Sequence, residues 1–476
     1  MTECSQLSFG FQGGNRREVV ARFNGGTISS DAGGLLLKQT EEATGILRRF
    51  AGCFRDHRDP ELTEHTVEQL IGQRVYALAL GYEDLNDHDA LRHDPLLAVL
   101  AGKADPTGAD RKRDRDKGKA LAGKSTLNRL ELTRVGANKT SRYKKIAVNR
   151  EAVEDLFLSV FLEAHGTAPR QIVLDLDATD DPLYGHQSGR FFHGYYLNYC
   201  YLPLYIFCGE HLLCARLRPS DIDASWGSVK ELARIVGRIR SAPGGWAKVS
   251  IVVRGDSGFC REEIMAWCER HGVDYVFGLA KNERLLREIE DALGQAHAEH
   301  ERTGQAARVF KDFTYQTLDS WSRPRRVIGK AEWLQKGANP RFVVTRLSPD
   351  AFDPRAVYED QYCARGEMEN RIKEQQLHLF ADRTSAATLR ANQLRLWFSS
   401  VAYTLLAALR RLGLQGTDLA RAQCQTIRLK LLKIGAQIRI TCRKIWVALA
   451  ESYPYKELFL RVYHHLRRLP PVPLRC

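Results

Sequence analysis

What is missing narrows the reading of this 476-residue chain. No Cys-x-x-Cys pair occurs among its eleven scattered cysteines, so a zinc ribbon is excluded. Their odd number also argues against a disulfide framework, and most are expected as reduced core residues. The opening "MTECSQLSFGFQGG" has no basic stretch leading into an apolar one, so no signal peptide is expected. Long hydrophobic runs are lacking too. "YLPLYIFCGEHLLCARL" is broken by Gly209, Glu210 and His211. "LRLWFSSVAYTLLAALRRL" offers about fourteen apolar or small residues, short of the roughly twenty that span a bilayer. No internal repeat and no low-complexity tract is present. These absences predict a cytosolic protein with no membrane partner.

Acidic residues are in deficit. Seventy-one Lys/Arg face 57 Asp/Glu, a formal net charge of +14. Such a surplus suits a polyanionic partner, nucleic acid or an anionic surface. The hydrophobic fraction, 44%, is ordinary for a folded chain, and the length allows two to four domains.

Along the chain the texture changes several times. "LTEHTVEQLIGQRVYALALG" repeats apolar residues at helical spacing. Residues 1–165 are therefore expected to be mainly helical. Within them, segment 111–145 carries thirteen Lys/Arg against three Asp/Glu. That segment reads either as a solvated linker or as an arm touching phosphates. From about 166 to 280, "RQIVLDLDA", "AKVSIVVRGDSGF" and "DYVFGLA" read as buried strands. "YYLNYCYLPLYIFCGEHLLCARLRP" reads as two strands turning at Gly209 and Glu210. With "SWGSVKELARIVGRIRSA" and "REEIMAWCERHG" as helices, a mixed α/β sheet is expected. Residues 281–350 read as a β-rich insertion. A long helix follows from about Val357 to Ala381, and 411–476 form a basic C-terminal region.

Three acidic positions carry the chemical reading. Asp177 follows the apolar run Ile172-Val173-Leu174, and Asp256 follows Ile251-Val252-Val253 in the same way. If these strands are neighbours, the carboxylates converge at one sheet edge and suit Mg²⁺ or Mn²⁺. Of the four aspartates in "IVLDLDATDD", Asp175 shares a face with Asp177, whereas Asp180 and Asp181 read as a solvated turn. In "YCARGEMENRIKEQQ", Tyr362, Arg365 and Glu369 stand at i, i+3 and i+7, on one helical face. Taken alone, Arg365 and Glu369 make an ordinary i,i+4 surface pair.

Taken together, the three acids resemble the DDE transposases of bacterial insertion sequences. The likeness is greatest to the Tyr-x₂-Arg-x₃-Glu group and, within it, to the insertion-sequence thirteen-eighty family. "DAT" at Asp177–Thr179, "YGHQ" at Tyr184–Gln187, "RGDSGF" around Asp256 and the Tyr362/Arg365/Glu369 spacing carry it. The resemblance implies a ribonuclease-H-like core over 166–280 and 351–410, interrupted by the 281–350 insertion. A DNA-binding N-terminal region would precede it. It implies that Asp177, Asp256 and Glu369 hold two Mg²⁺ (or Mn²⁺) ions for DNA cleavage and strand transfer, of the cut-and-paste type. The partners would be the element's terminal repeats and target DNA, gripped by a homodimer, in a nucleoid-associated bacterial protein. Tyr362, Arg365 and Lys373 would bind DNA phosphate, and Trp321 and Trp333 are candidates for stacking on a flipped base. Asp175, Thr179 and His186 are candidates for a supporting shell. Many relatives carry a lysine seven residues after the glutamate; here Gln376 stands there, and Lys373 is the substitute.

Two rival readings compete. "IVLDLDAT" also fits the first motif of haloacid-dehalogenase-type phosphatases, with Asp175 as nucleophile and Asp177 as general acid. The other rival is an inactive, transposase-derived DNA-binding protein.

Overall fold

Ile172, Leu174 and Leu176 alternate along one extended segment, and all three are buried. In this computed structural model, which describes residues 8–11, 17 and 19–470, that segment is the strand around which a sheet is built. The chain divides into two compact units, Asn149–Ser400 and Met1–Val148 with Val401–Cys476.

In the first of these, β1 (Gln171–Ala178) is followed by a small sheet of β2 (Asp181–Pro182), β3 (Phe191–His193) and β4 (Asn198–Tyr201). Then come β5 (Leu204–Cys208), β6 (His211–Arg216), β7 (Ser250–Gly255) and β8 (Asp274–Leu279). After them stand β9 (Ala307–Tyr315), β10 (Arg325–Leu334), β11 (Gly337–Ala338) and β12 (Arg341–Thr345). The main sheet has nine strands in the order β6-β5-β1-β7-β8-β12-β10-β9, with β11 on β10. Strands β1, β7 and β8 run parallel; the other pairings are antiparallel.

Side-chain alternation splits the sheet into two faces. Ile172, Leu174, Leu176, Ile251, Val253 and Phe277 enter one core cluster. Helices α1 (Arg150–Ala164), α2 (Ser228–Arg240) and α3 (Glu262–Arg270) cover it through Phe161, Ile235 and Met265. The opposite face collects Val173, Val252, Val276 and Val343, packed under Val357 and Tyr358. Asp175 and Asp177 share the parity of Val173, so they emerge on this second face.

The stretch expected as a β-rich insertion differs in two ways. It opens on helices, α4 (Glu283–Glu288) and α5 (Glu290–Thr303), and its strands prolong the main sheet. Arg325 on β10 is almost fully buried and bridges Glu262 and Glu269 of α3 at 2.7 and 2.8 Å, which ties the added strands to the rest of the sheet.

The other unit joins the N-terminal and C-terminal portions. Residues Ile28–Ser29 pair with Ala436–Ile440, which pairs in turn with Ile445–Leu449. Helix Val67–Leu80 starts at a reciprocal cap between Thr66 and Gln69 and is buried almost throughout. The basic segment is ordered here: it contains helix Lys124–Glu131, and Ile146–Val148 just beyond it pairs with Phe54–Asp56. Arg111 is buried, donating to Glu64 at 3.0 Å and to the carbonyl of Lys119 at 2.9 Å. Among the described residues, no helix is long and apolar enough to cross a membrane.

Candidate active site

Parallel pairing of β1 with β7 sets Asp175 opposite Arg254. Both are buried, and the guanidinium grips both carboxylate oxygens, Nη2 standing 2.7 Å from Oδ2. Its remaining nitrogen, Nη1, donates to the carbonyl of Gln361. One arginine thus joins two neighbouring strands to the segment that leads to Glu369. Two residues beyond this pair stand Asp177 and Asp256, at the C-terminal ends of their strands. Asp256 Oδ1 accepts from the backbone N–H of Gly258 at 2.8 Å, capping a tight turn.

The Glu369 segment is helical but uneven. A wide π-turn spans Val357–Tyr362, a tight 3₁₀-turn spans Cys363–Arg365, α6 covers Gly366–Lys373, and a second π-turn covers Glu374–His378. Such irregular turns recur where function dictates side-chain direction. Here they aim Arg365 between two acids: Nη2 lies 2.8 Å from Glu369 Oε1 and Nη1 3.3 Å from Asp177 Oδ2. The Tyr362 hydroxyl reaches over β8 at Gly278, where an added Cβ would stand 2.6 Å from it and 3.0 Å from the Ser257 nitrogen. Glycine at 278 is what lets the phenol approach the turn after Asp256.

Asp177 lies within electrostatic reach of the other two acids. Burial pushes the Asp177 carboxyl up to about 6, helped by the charges of Asp256 and Glu369 and opposed by Arg365. Burial works against the Arg365 charge, but Asp177, Asp256 and Glu369 outweigh it and raise its pKa. Burial also raises the Tyr362 phenol, with Arg365 opposing and Asp256 adding. Among the described residues, no group of three or more His, Cys, Asp or Glu side chains is arranged to hold a metal ion. The guanidinium of Arg365 lies between Asp177 and Glu369.

Other expected site residues are scattered. Lys373 is exposed on α6. Thr179 lies beside β1, its N–H 3.4 Å from the Pro203 carbonyl, and His186 is exposed. Trp321 is buried in the main core, with its ring edge-on to Tyr315 and under Arg325, and that burial keeps it from a base. Trp333 is half-buried with its ring 4.0 Å from that of His297. Asp181 corrects the sequence reading outright. It is no solvated turn residue but fully buried on β2, where Gln376 donates to its Oδ1 at 3.0 Å and to the Asp180 carbonyl at 3.1 Å. Tertiary packing of the Glu369 segment over β2 removes it from water.

Arg254 is a site residue that sequence reasoning misses, although a signal exists. Arginine two residues before Asp256 mirrors Asp175 two residues before Asp177, and neighbouring parallel strands put such positions side by side. With Asp175 held by Arg254, nothing supports its use as a phosphatase nucleophile.

The buried Asp175–Arg254 pair and the buried Asp181 each lead to a measurable expectation. Arg254→Leu leaves Asp175 buried and unpaired, and should cost about 3–5 kcal/mol in urea unfolding. Adding Asp175→Leu should recover most of that loss, and a double variant no better than the single would show that the pair is not the cause. The second concerns pH. Burial lifts the Asp181 carboxyl to about 8, partly offset by Gln376, from 3.8. A raised folded-state pKa means the stabilisation is complete below 3.8 and drains away as pH climbs to about 8. Asp181→Asn lacks this loss, so its unfolding midpoint should gain on the parent between about pH 5 and pH 8 and then level off. A constant difference would show that Asp181 does not titrate there.

No curated protein matches the chain. The family described as Transposase DDE domain group 1 matches residues 11–471. That match takes in both strand-end aspartates and the Glu369 helix, and the chain belongs to this DDE transposase family.

Proposed function

We propose that the protein is an insertion-sequence transposase that cleaves the ends of its element and joins them to target DNA. We place it in the insertion-sequence thirteen-eighty group, with a ribonuclease-H-like core. The observation that carries the reading is Arg365 held between Asp177 and Glu369, with Asp177 and Asp256 at the ends of two adjacent parallel strands. Strand order supports the core assignment: an antiparallel meander β6-β5-β1 is continued by parallel β7 and β8.

Carboxylate oxygens suit a hard divalent cation, and two of the three acids, Asp177 and Glu369, already draw in a guanidinium. Asp177, Asp256 and Glu369 would hold Mg²⁺ or Mn²⁺, two ions by family resemblance, supplying Lewis acidity to the attacking and leaving oxygens. The chain's own residues do the rest. Arg365, released from the carboxylates, offers a bidentate fork to a DNA phosphate. Tyr362 presents its hydroxyl beside the Asp256 turn, and Lys373 adds an exposed cation one turn on. Arg254 and Asp175 hold the two strands and the Glu369 segment in register beneath them. Synapsis of two element ends calls for a homodimer.

A purified-protein assay with labelled element-end DNA and Mg²⁺ tests this. Asp256→Asn and Glu369→Gln should each abolish cleavage while leaving DNA binding intact. Full cleavage by either variant would remove that residue from the triad.

We infer that the N-terminal and C-terminal unit grips the DNA backbone. A cleft of about 600 Å³ lies there, lined by eight Lys/Arg and four Asp/Glu. The acids are engaged: Asp59 caps a turn, Glu64 holds Arg111, Asp89 holds Lys124, and Asp116 holds Arg92. Among the described residues, no carboxylate pairs with Arg113, Arg129 or Arg142. Tyr143 stands exposed between the last two, whose guanidinium carbons lie 5.3 and 4.9 Å from its ring centre. Changing these three arginines to glutamine should weaken DNA binding. Its log–log salt slope should flatten by about 0.9 for each phosphate the variant no longer neutralises. An unaltered slope would show that the cleft does not touch phosphate.

A further inference from the structure

The small sheet β2-β4-β3 presents aromatic rings to solvent directly beside the catalytic carboxylates. Within nine residues, Phe191, Phe192, Tyr195, Leu197 and Tyr199 are all exposed, Tyr195 by 83%. Phe192 and Tyr199 are cross-strand partners with ring centres 5.6 Å apart, edge to face. The Arg190 guanidinium lies 4.2 Å from the centre of the Tyr199 ring. At the turn, Tyr195 and Tyr196 meet edge-on at 5.0 Å.

The turn is built rather than slack. Leu197 adopts φ 54°, a left-handed conformation that strains a leucine, and its N–H closes the turn on the His193 carbonyl at 2.9 Å. The Tyr196 hydroxyl anchors it to the Ala178 carbonyl at 3.3 Å, next to Asp177.

We propose that this face stacks on unpaired bases of the DNA end whose phosphate is cleaved at Asp177, Asp256 and Glu369. The proposal rests on the transposase reading. Three features favour nucleobases over other occupants. The surface is aromatic more than aliphatic, and every base offers a π-face to a ring. It is interleaved with a cation, Arg190, suited to the phosphate between stacked bases. It adjoins the carboxylates through Tyr196, whose hydroxyl reaches the Ala178 carbonyl next to Asp177. Trp321, buried in the core, cannot take this part.

The test uses the full chain and two fluorescein-labelled probes: a single-stranded mixed-sequence oligonucleotide and a blunt duplex of the same sequence. In anisotropy titrations, Phe192→Ala, Tyr195→Ala and Tyr199→Ala should each weaken single-strand binding by about tenfold, the loss of one stacked base. Duplex binding should stay within about twofold, since the groups that meet the DNA backbone are untouched. Tyr195→Phe and Tyr199→Trp keep a ring and should keep the affinity, which separates stacking from a folding defect. Single-strand affinity unchanged in all three alanine variants, with duplex still bound, would overturn the proposal and leave the transposase reading standing. So would loss of a dimer in sedimentation velocity, or of binding to anionic phospholipid vesicles, with no change in single-strand affinity. In those cases a second copy or a membrane surface covers the face. A parent chain that binds neither probe would overturn the transposase reading and this proposal with it.

Discussion

Crowding of negative charge at the ends of two neighbouring strands is the constraint from which the rest of the catalytic unit follows. Burial raises Asp177 to about 6, with Arg365 opposing and Asp256 and Glu369 adding to the rise, and one guanidinium cannot balance three carboxylates. Directly beneath, one residue pair down the same strands, Asp175 and Arg254 form a balanced layer. The site therefore has two storeys, a neutral one that fixes geometry and an acidic one with charge to spare. On the proposed reading, that spare charge is what cations would answer. The lower storey keeps the strands and the Glu369 segment from drifting apart under the repulsion.

The uneven Glu369 segment answers the same constraint. A regular helix would set Tyr362, Arg365 and Glu369 along a stripe determined by its pitch. The structure instead loosens the turn at Val357–Tyr362 and tightens the one at Cys363–Arg365. The loosened turn places the Gln361 carbonyl on Arg254 and the Tyr362 hydroxyl over Gly278; the tightened one delivers Arg365 to Asp177. Local helix energy is traded for side-chain aim, as expected where chemistry outranks regularity.

How much of this is legible in the sequence depends on whether the signal is local. Apolar runs ending in aspartate announce β1 and β7, because a buried strand that terminates in a carboxylate is conspicuous on its own. The spacing of Tyr362, Arg365 and Glu369 is equally local. Arg254 is not legible, since its meaning lies in the register between two strands, with Asp175 79 residues away along the chain. Helices α4 and α5 are hidden because their charged, alanine-rich pattern lacks a strong apolar stripe, and the strands after them set the tone of the segment. "YYLNYCYLPLYIF" reads as one strand. It divides at Leu202 and Pro203 into β4 and β5, which belong to different sheets, and the exposed rings lie before the break. The pairing of Ile28–Ser29 with Ala436–Ile440 joins the two ends of the chain, which no local pattern announces.

The role of Gln376 is likewise set by tertiary context. By spacing alone it is a missing lysine. In the fold, its amide holds the Asp180 carbonyl and a buried Asp181 that keeps its proton to about pH 8. An ammonium at that position would favour the ionised carboxylate and turn a neutral contact into a buried ion pair, with the desolvation cost that carries. An amide meets a protonated carboxyl without that cost, and it still fixes the end of the Glu369 segment to β2. The position has been given over to holding the segment in place. On the proposed reading a cation for phosphate comes from a residue free to face solvent, and Lys373 stands exposed three residues earlier on the same segment.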